Sequence, residues 1–525
     1  MPINVTLSAD ELKALLAMRE EHVALQRERD ELRGTLRLVT AERDLAEERL
    51  RAYRRELFGA KSEVRDPDQL GLFNEAEALA SNALPAQEDT PDTKVAAHSR
   101  KKRGRKPLDP NLPREIYRHE LPEAERFCAN DGHPLVEFGV EISEQLDVIP
   151  EQIRVIQHQR VKYACPCCDL GIKVTPAPPR IIPRGLLTEA ALAWIATGKY
   201  QFGMPLYRQA GLLRRFGGDI SSNTIAASMV RVGIATQPVI NLMRDTLLDA
   251  EVIYCDETTF QVLKEKGRQP QTKSYLWAQM TESKTPVRVF TYIAGRGGKL
   301  AGKLFDGIRE GAVLMSDGYV PYDGIAQRHH LAHLGCWTHA RRGFVKAEDN
   351  VPKAARTPDL LATRFIRLIG KLFAAEVRSA KWRPERRRRL RRRYSAPVLD
   401  LIQALMLEQL PAVVPGSLLG KALNYLRGQW PKLVRYVENG DWPLSNNACE
   451  NAIRPFCVGR RSWLFADTVA GANASANLYS IVETCRANRI DPYRYLHWLF
   501  QQLPLAKTVD DYDAMLPWKM PANLR

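Results

Sequence analysis

Three carboxylates stand where one chain could use them together. Asp256 closes the apolar run Glu251-Val252-Ile253-Tyr254-Cys255, and Asp317 closes Ala312-Val313-Leu314-Met315-Ser316. Glu450 falls four residues beyond Asn446, in a stretch where Ser445 or Asn446 is placed to cap a helix. Two carboxylates a few ångströms apart repel and raise each other's pKa unless cations sit between them. Mg2+ (or Mn2+) suits such a set, because it takes oxygen ligands and keeps waters in its shell. Two such ions about 4 Å apart activate an attacking hydroxyl and stabilise a leaving oxygen in phosphoryl transfer. Each acid also has a plainer reading. A lone Asp at a strand end more often caps the next turn, and Glu450 with Arg454 makes an i,i+4 pair. The three together carry the chemistry.

The elements needed to position them can be read around them. Strands are expected at Glu251–Cys255, Ser274–Met280 and Val287–Ile293, then a helical crossover over Gly298–Phe305. A fourth strand follows at Ala312–Met315 and a fifth at Leu331–Trp337, leading into a helix near Thr338. Three strands, a helix, a strand, a helix and a strand is the order of the ribonuclease-H-like fold. In that order strands one and four are neighbours, so Asp256 and Asp317 converge at one sheet edge. The expected core runs over 249–345 and resumes at 443–505, with a helical insertion at 346–442 between and a tail at 506–525. The insertion carries Arg383, Arg386, Arg387, Arg388, Arg389, Arg391, Arg392 and Arg393, which either meet phosphates or form a solvated basic face. His339, Arg341, Arg342, Arg454, Arg460 and Arg461 lie beside the expected acids and have the same two readings. Cys336-x2-His339 would need further partners to hold a metal.

Upstream, residues 1–58 carry an alternating three-four seam through Leu15, Met18, His22, Leu25, Arg29, Leu32, Leu36, Val39, Arg43, Ala46, Leu50, Tyr53 and Leu57. That spacing predicts a coiled coil and a homodimer or higher oligomer; a lone amphipathic helix is the alternative. Residues 59–114 read as a linker. Within it, Arg100, Lys101, Lys102, Arg103, Arg105 and Lys106 form an arm suited to a DNA minor groove, or a solvated charge run. Residues 115–178 form a small β module in which Cys165-x2-Cys168 is a zinc knuckle. The opposite pair is expected near Cys128, with Asp131 where a second Cys would make the motif strong; either His133 or Cys167 completes a site for one structural Zn2+, or the β module has lost its metal and Cys128 and Cys165 are ordinary half-buried thiols. Residues 179–248 read as helices at Leu186–Ala196, Leu206–Phe216 and Thr224–Gly233, either a helix-turn-helix or a plain bundle.

Composition narrows the class. Of 525 residues, 45% are hydrophobic, and 77 Lys+Arg against 61 Asp+Glu give +16, a surplus that favours a polyanionic partner. No uncharged apolar run approaches a membrane span, and charges break up any signal-peptide core near the N-terminus. Five of the nine cysteines stand apart, which fits reduced thiols in a cytoplasm.

At this point the chain resembles the large transposase of the IS66 insertion-sequence family, nearly end to end. The resemblance rests on Asp256-Glu257-Thr258, Ser316-Asp317-Gly318-Tyr319 and Cys336-Trp337-Thr338-His339-Ala340-Arg341-Arg342. It continues through Asn446-Asn447-x-x-Glu450-x-x-Ile453-Arg454-Pro455, Gly459-Arg460-Arg461-Ser462-Trp463-Leu464-Phe465 and Leu516-Pro517-Trp518. It implies a DDE triad of Asp256, Asp317 and Glu450, with about two Mg2+ per site. It implies binding of terminal inverted repeats and target DNA, with cleavage and strand transfer. It further implies a bacterial, nucleoid-associated cytoplasmic protein and small accessory proteins encoded by the same element. The alternatives are a ribonuclease-H-like nuclease and an inactive transposase-derived DNA-binding regulator.

Overall fold

The computed structural model describes residues 9–58, 153–158, 162–163, 173–174 and 177–525. The arm at Arg100–Lys106 and the zinc candidates Cys128, Asp131, Cys165 and Cys168 lie outside these residues. The chain divides into two compact units, residues 1–59 with 155–525 and residues 60–154, and nearly all described residues belong to the first.

Helix α1, Ala9–Phe58, is continuous for 50 residues, about 75 Å at 1.5 Å per residue. Leu25, Leu32, Leu36, Val39, Leu50 and Tyr53 are each more than half exposed along it. Near its end Glu48 accepts from Leu418 N (2.9 Å) through Oε1 and from Asn350 Nδ2 (3.4 Å) through its carbonyl. Two short strands, β1 (Lys162–Tyr163) and β2 (Lys173–Val174), pair antiparallel.

Four helices follow: α2 (Glu189–Tyr200), α3 (Leu206–Arg215), α4 (Ser222–Ala235) and α5 (Gln237–Leu248). The first begins three residues later than its apolar run suggests, because Thr188 Oγ1 caps Ala191 N and leaves Leu186 outside, 74% exposed. Ser221 is the cap of α4, accepting from Thr224 N at 3.1 Å.

The sheet comprises β3 (Val252–Phe260), β5 (Ser274–Thr281), β6 (Val287–Ile293), β7 (Val313–Ser316) and β8 (Ala332–Gly335), after a short β4 (Val262–Lys264) that stays outside it. Helix α6 (Gly298–Gly302) crosses before β7, and α7 (Pro321–Arg328) joins β7 to β8. The order is β6-β5-β3-β7-β8, with antiparallel pairing on the β5 side of β3 and parallel pairing on the β7 side. The strand expected to stop at Cys255 runs on to Phe260, since Thr258–Phe260 pair with Leu276–Ser274 of β5. Asp256 is therefore mid-strand and lies level with the point where its other neighbour, β7, ends.

Beyond α8 (Trp337–Asp349) come α9 (Leu361–Ser379), α10 (Pro384–Leu390), α11 (Ala396–Gln409) and α12 (Leu418–Leu433), and α8, α9, α11 and α12 enclose a second apolar cluster. Trp337, Phe344, Phe365, Ile369 and Leu423 lie in it, with Phe344 and Phe365 stacked at 4.4 Å. The arginine-rich run is not a uniform phosphate-facing surface. A π-turn at Arg391–Ser395 points Arg391 inward, where it is 1% exposed. Its guanidinium grips Glu376 through Nε (2.8 Å) and Nη2 (2.7 Å), and donates to the carbonyls of Tyr436 (2.7 Å), Asn439 and Trp442 (3.0 Å). Arg387 likewise donates to the carbonyls of Ser379, Ala380, Trp382 and Gly440. The other six are exposed.

The chain then returns to the sheet with α13 (Asn447–Trp463), β9 (Ala466–Thr468, beside β4), α14 (Val469–Ala487), α15 (Pro492–Gln502) and α16 (Val509–Ala514). Helix α14 is buried almost throughout and covers the outer edge of β6. Ser480 Oγ accepts from Phe290 N (2.8 Å), and Thr484 Oγ1 accepts from Arg288 N (2.9 Å) while donating to Arg288 O. Four helical residues rise about 6 Å and two strand residues about 6.6 Å, so hydroxyls at i and i+4 stand in for a missing strand. Gly233 lets α4 cross this helix: a Cβ there would lie 2.4 Å from Ala474 Cβ. The expected helix-turn-helix segment is thus packed into the main core through one face of α4, while Asn223, Thr224, Ala227 and Arg231 on that helix stay exposed. No single described helix is long and apolar enough to cross a membrane.

Candidate active site

Strand pairing brings the two aspartates together. Tyr254 of β3 is opposite Met315 of β7, so two further residues along each strand Asp256 and Asp317 stand side by side and share a face. Asp256 Oδ1 accepts from Glu257 N (2.8 Å), and Asp317 Oδ1 accepts from Tyr319 N (2.9 Å) in a tight turn after β7. Helix α13 lies on the same face of β3: Cys457 Sγ approaches Thr258 Oγ1 at 3.5 Å, and Glu450 is two turns before it on the helix. Asn446 fixes where that helix starts. It does not cap with its side chain as the sequence suggests; its Nδ2 donates to Cys255 O (3.0 Å) and its backbone N–H to Cys336 Sγ (3.2 Å). The start of α13 is thereby tied both to β3, one residue from Asp256, and to the N-terminus of α8.

The electrostatics reflect this gathering of acids. Burial first, then the charges of Glu257, Asp317 and Glu450, push Asp256 up to about 8. Glu450 is held by Arg342, whose Nη2 donates to Oε2 at 3.1 Å, and its Oε1 lies 3.5 Å from His339 Nδ1. Burial lowers the affinity of His339 for a proton, with Glu450 opposing and Arg342 assisting. Burial also raises the Cys336 thiol to about 11, against hydrogen bonds from the backbone of Asn446, His339 and Thr338.

Several supporting groups gave no sequence signal. Glu257 points to the opposite face from Asp256, where Arg296 pairs with it (Nε–Oε1 2.7 Å) and Tyr322 donates to Oε2. An acid next to a strand acid must face the other way, which is the one clue that it needs its own cation. Beneath Asp317, Ser316 Oγ contacts His333 Nε2 (2.8 Å), His333 Nδ1 contacts Asp323 (3.0 Å), and Lys432 of α12 pairs with Asp323. This has the connectivity of a serine–histidine–aspartate relay, but Ser316 and His333 are buried, so no substrate reaches the hydroxyl; it braces the end of β7.

The basic candidates divide. Arg342 and His339 reach Glu450; Arg341 and Arg454 are half-buried on α8 and α13, and Arg461 is exposed. Arg460 differs from the expectation of a phosphate contact: its Nη1 donates to Thr258 Oγ1, Thr259 Oγ1 and Thr259 O, making it a strut between α13 and β3.

This region is also where the chain matches known proteins. Residues 184–474 match the model described as transposase IS66 family. The chain belongs to the IS66 transposase family. Residues 480–518 match the IS66 C-terminal element, 45–116 the transposase C of IS166 homeodomain, and 125–169 the zinc-finger binding domain of transposase IS66. The last span includes Cys128, Asp131, Cys165 and Cys168. Relatives in Sinorhizobium fredii (strain NBRC 101917 / NGR234) include the uncharacterized proteins y4qI (29% identical, 76% of this chain and 74% of that one) and y4jD (26%, 90% and 93%). A third, y4hP, is 28% identical over 89% of this chain and 87% of its own.

Proposed function

We propose that this IS66-family chain is the large transposase of an insertion sequence, with Asp256, Asp317 and Glu450 as its DDE triad. In this reading the five-stranded sheet is a ribonuclease-H-like core, and residues 346–442 are inserted into it before the third acid. The observation that carries it is the sharing of one face of β3 by Asp256, Asp317 and the helix bearing Glu450, in surroundings that disfavour the charge of Asp256. A buried, negatively surrounded carboxylate is what a bound divalent cation relieves, so the three residues fit Mg2+ or Mn2+. When bound, a pair of such ions supplies an activated attacking oxygen and a stabilised leaving oxygen.

The chain's own residues do the positioning. Asp256 and Asp317 are fixed by paired strands, and Glu450 by the Asn446 anchor and by Arg342. Arg341, Arg342, Arg454 and Arg461 hold phosphates around the reacting strand, while the Arg100–Lys106 arm and the exposed arginines of 383–393 hold the flanking duplex mainly through its backbone. Hydrolysis frees a 3′-hydroxyl at each element end, and that hydroxyl attacks target DNA in line without a covalent protein–DNA intermediate. Helix α1 pairs two copies, one for each inverted repeat. Zinc at Cys128, Asp131, Cys165 and Cys168 holds the module before the core, and the element's small accessory proteins join the assembly.

The test uses a supercoiled plasmid carrying the element's own ends, with Mg2+ and the accessory proteins. Asp317→Asn and Glu450→Gln are expected to lose cleavage and joining while keeping end binding. Loss of binding together with cleavage would make the acids structural, and wild-type cleavage without joining would make the protein a nuclease.

A further inference from the structure

We infer that Cys336 Sγ, His339 Nδ1 and Glu450 Oε1 form a site for one soft divalent ion of the Zn2+ or Co2+ class, adjoining the acid triad. One ligand atom from each of the three side chains lies within 4.8 Å of the other two. A tetrahedral ion with bonds of about 2.0–2.3 Å holds its ligands roughly 3.3–3.8 Å apart, so the atoms need close by at most about 1.0–1.5 Å. His339 Nδ1 and Glu450 Oε1 are buried and lack a hydrogen-bond partner, and they are 3.5 Å from each other. Two orphaned polar atoms converging on one point are costly unless a third species satisfies both. The third atom is a thiol, which selects a softer ion than the oxygen-only aspartates do.

The supports resemble those of a built site. Cys336 follows β8 as the N-cap of α8, His339 is in the first turn of α8, and Glu450 is in the first turn of α13. The backbone N–H of Asn446 orients the sulfur at 3.2 Å, and Arg342 orients the far oxygen of Glu450. A metal on Nδ1 places the imidazole proton on Nε2; Arg342, 3.4 Å from Nε2, then keeps its bond to Glu450 alone. Binding breaks the Cys336 S–H bond, forms an S–metal bond and releases one proton to solvent. Three protein ligands leave a fourth position open, the arrangement of reactive rather than closed zinc sites. The site stands on its own geometry; its consequence rests on the proposed function. Glu450 is shared, so a soft ion here draws the third acid away from Asp256 and Asp317, and excess Zn2+ lowers Mg2+-supported cleavage.

Cobalt titration of the chelator-stripped full chain tests the site without reference to DNA. Wild type is expected to take up one more Co2+ per chain than Cys336→Ser, with a thiolate-to-cobalt charge-transfer band in the difference spectrum. His339→Gln leaves the sulfur in place at the start of α8, so it decides the matter should Cys336→Ser fold poorly; it is expected to weaken that Co2+ at least tenfold. Equal stoichiometry and identical spectra in wild type and His339→Gln would overturn the site and leave a bridging water as its occupant. Failure of plasmid cleavage would count against the transposase chemistry while leaving the cobalt result standing.

Discussion

The strongest consequence of the gathered acids is that a divalent ion bound to them, as proposed, must expel a proton. Asp256 is held up to about 8, by burial first and then by Glu257, Asp317 and Glu450. At pH 7 about nine in ten ion-free molecules therefore carry a proton on this carboxyl, and an ion that uses it as a ligand displaces that proton. Mg2+ or Mn2+ affinity should fall about tenfold for each pH unit below 8, with about 0.9 proton released per site at pH 7. Titration calorimetry in two buffers of different ionisation enthalpy measures the release directly. Glu257→Gln removes the largest of the three charge contributions, so it should move the pH dependence downward without abolishing it. The same group fixes a sign for stability. Its folded value lies above the unfolded value near 4, so the ion-free protein should lose stability as pH rises from about 4 to about 8. Asp256→Asn should remove that loss. Affinity that stayed flat between pH 6 and pH 8, with no proton released, would refute the reasoning.

Two further perturbations test the scaffold. Arg391→Met strands the half-buried Glu376 carboxylate and three carbonyls; it should cost about 3–5 kcal/mol and raise hydrogen exchange over 436–442. Arg391→Lys should not rescue it, because an ammonium cannot span the same acceptors; a loss below about 1 kcal/mol would show that the knot is dispensable. Replacing Leu25, Leu32 and Leu36 together with Gln should convert an associating chain to a monomer in sedimentation equilibrium, and an unchanged mass would exclude α1 as the pairing surface.

What could be read in the sequence and what could not divide along physical lines. Asp256 and Asp317 were visible because each ends a run of apolar residues, and such runs announce strands locally. The length of β3 was not visible, since its extension to Phe260 exists only because β5 pairs with it. Composition read the eight clustered arginines as one basic face; Arg391 and Arg387 depart from it because acceptors up to 53 residues away surround them. Arg460 turned inward for the same kind of reason, finding Thr258 and Thr259 some two hundred residues earlier. Of the two cap candidates Ser445 and Asn446, Asn446 occupies the N-cap position of α13, but its amide is oriented by donation to Cys255 O, 191 residues away, and makes no capping bond. A short-range rule finds the cap position; only the folded chain shows the distant carbonyl that turns the amide.

Those long-range partners also explain why the helical segment cannot be a loose appendage to the acids. Gly318, directly after Asp317, sits so close to α12 that an added Cβ would lie 2.6 Å from Tyr425 Cε2. Lys432 at the end of the same helix pairs with Asp323, and through His333 that chain of contacts reaches Ser316 beside Asp317. Trp337, at the start of the helix that carries His339 and Arg342, donates from Nε1 to Leu433 O (2.8 Å) and from its backbone to Leu444 O (3.2 Å). Arg391 secures the carbonyl of Trp442, four residues before the Asn446 anchor of Glu450's helix. The second aspartate and the glutamate are thus both braced by residues from 387–442, whereas the first aspartate is held by the sheet and, through Cys255 O, by Asn446. A displacement of α12 would therefore act first on the turn of Asp317 and on the helix that carries His339 and Arg342, the two residues that reach Glu450.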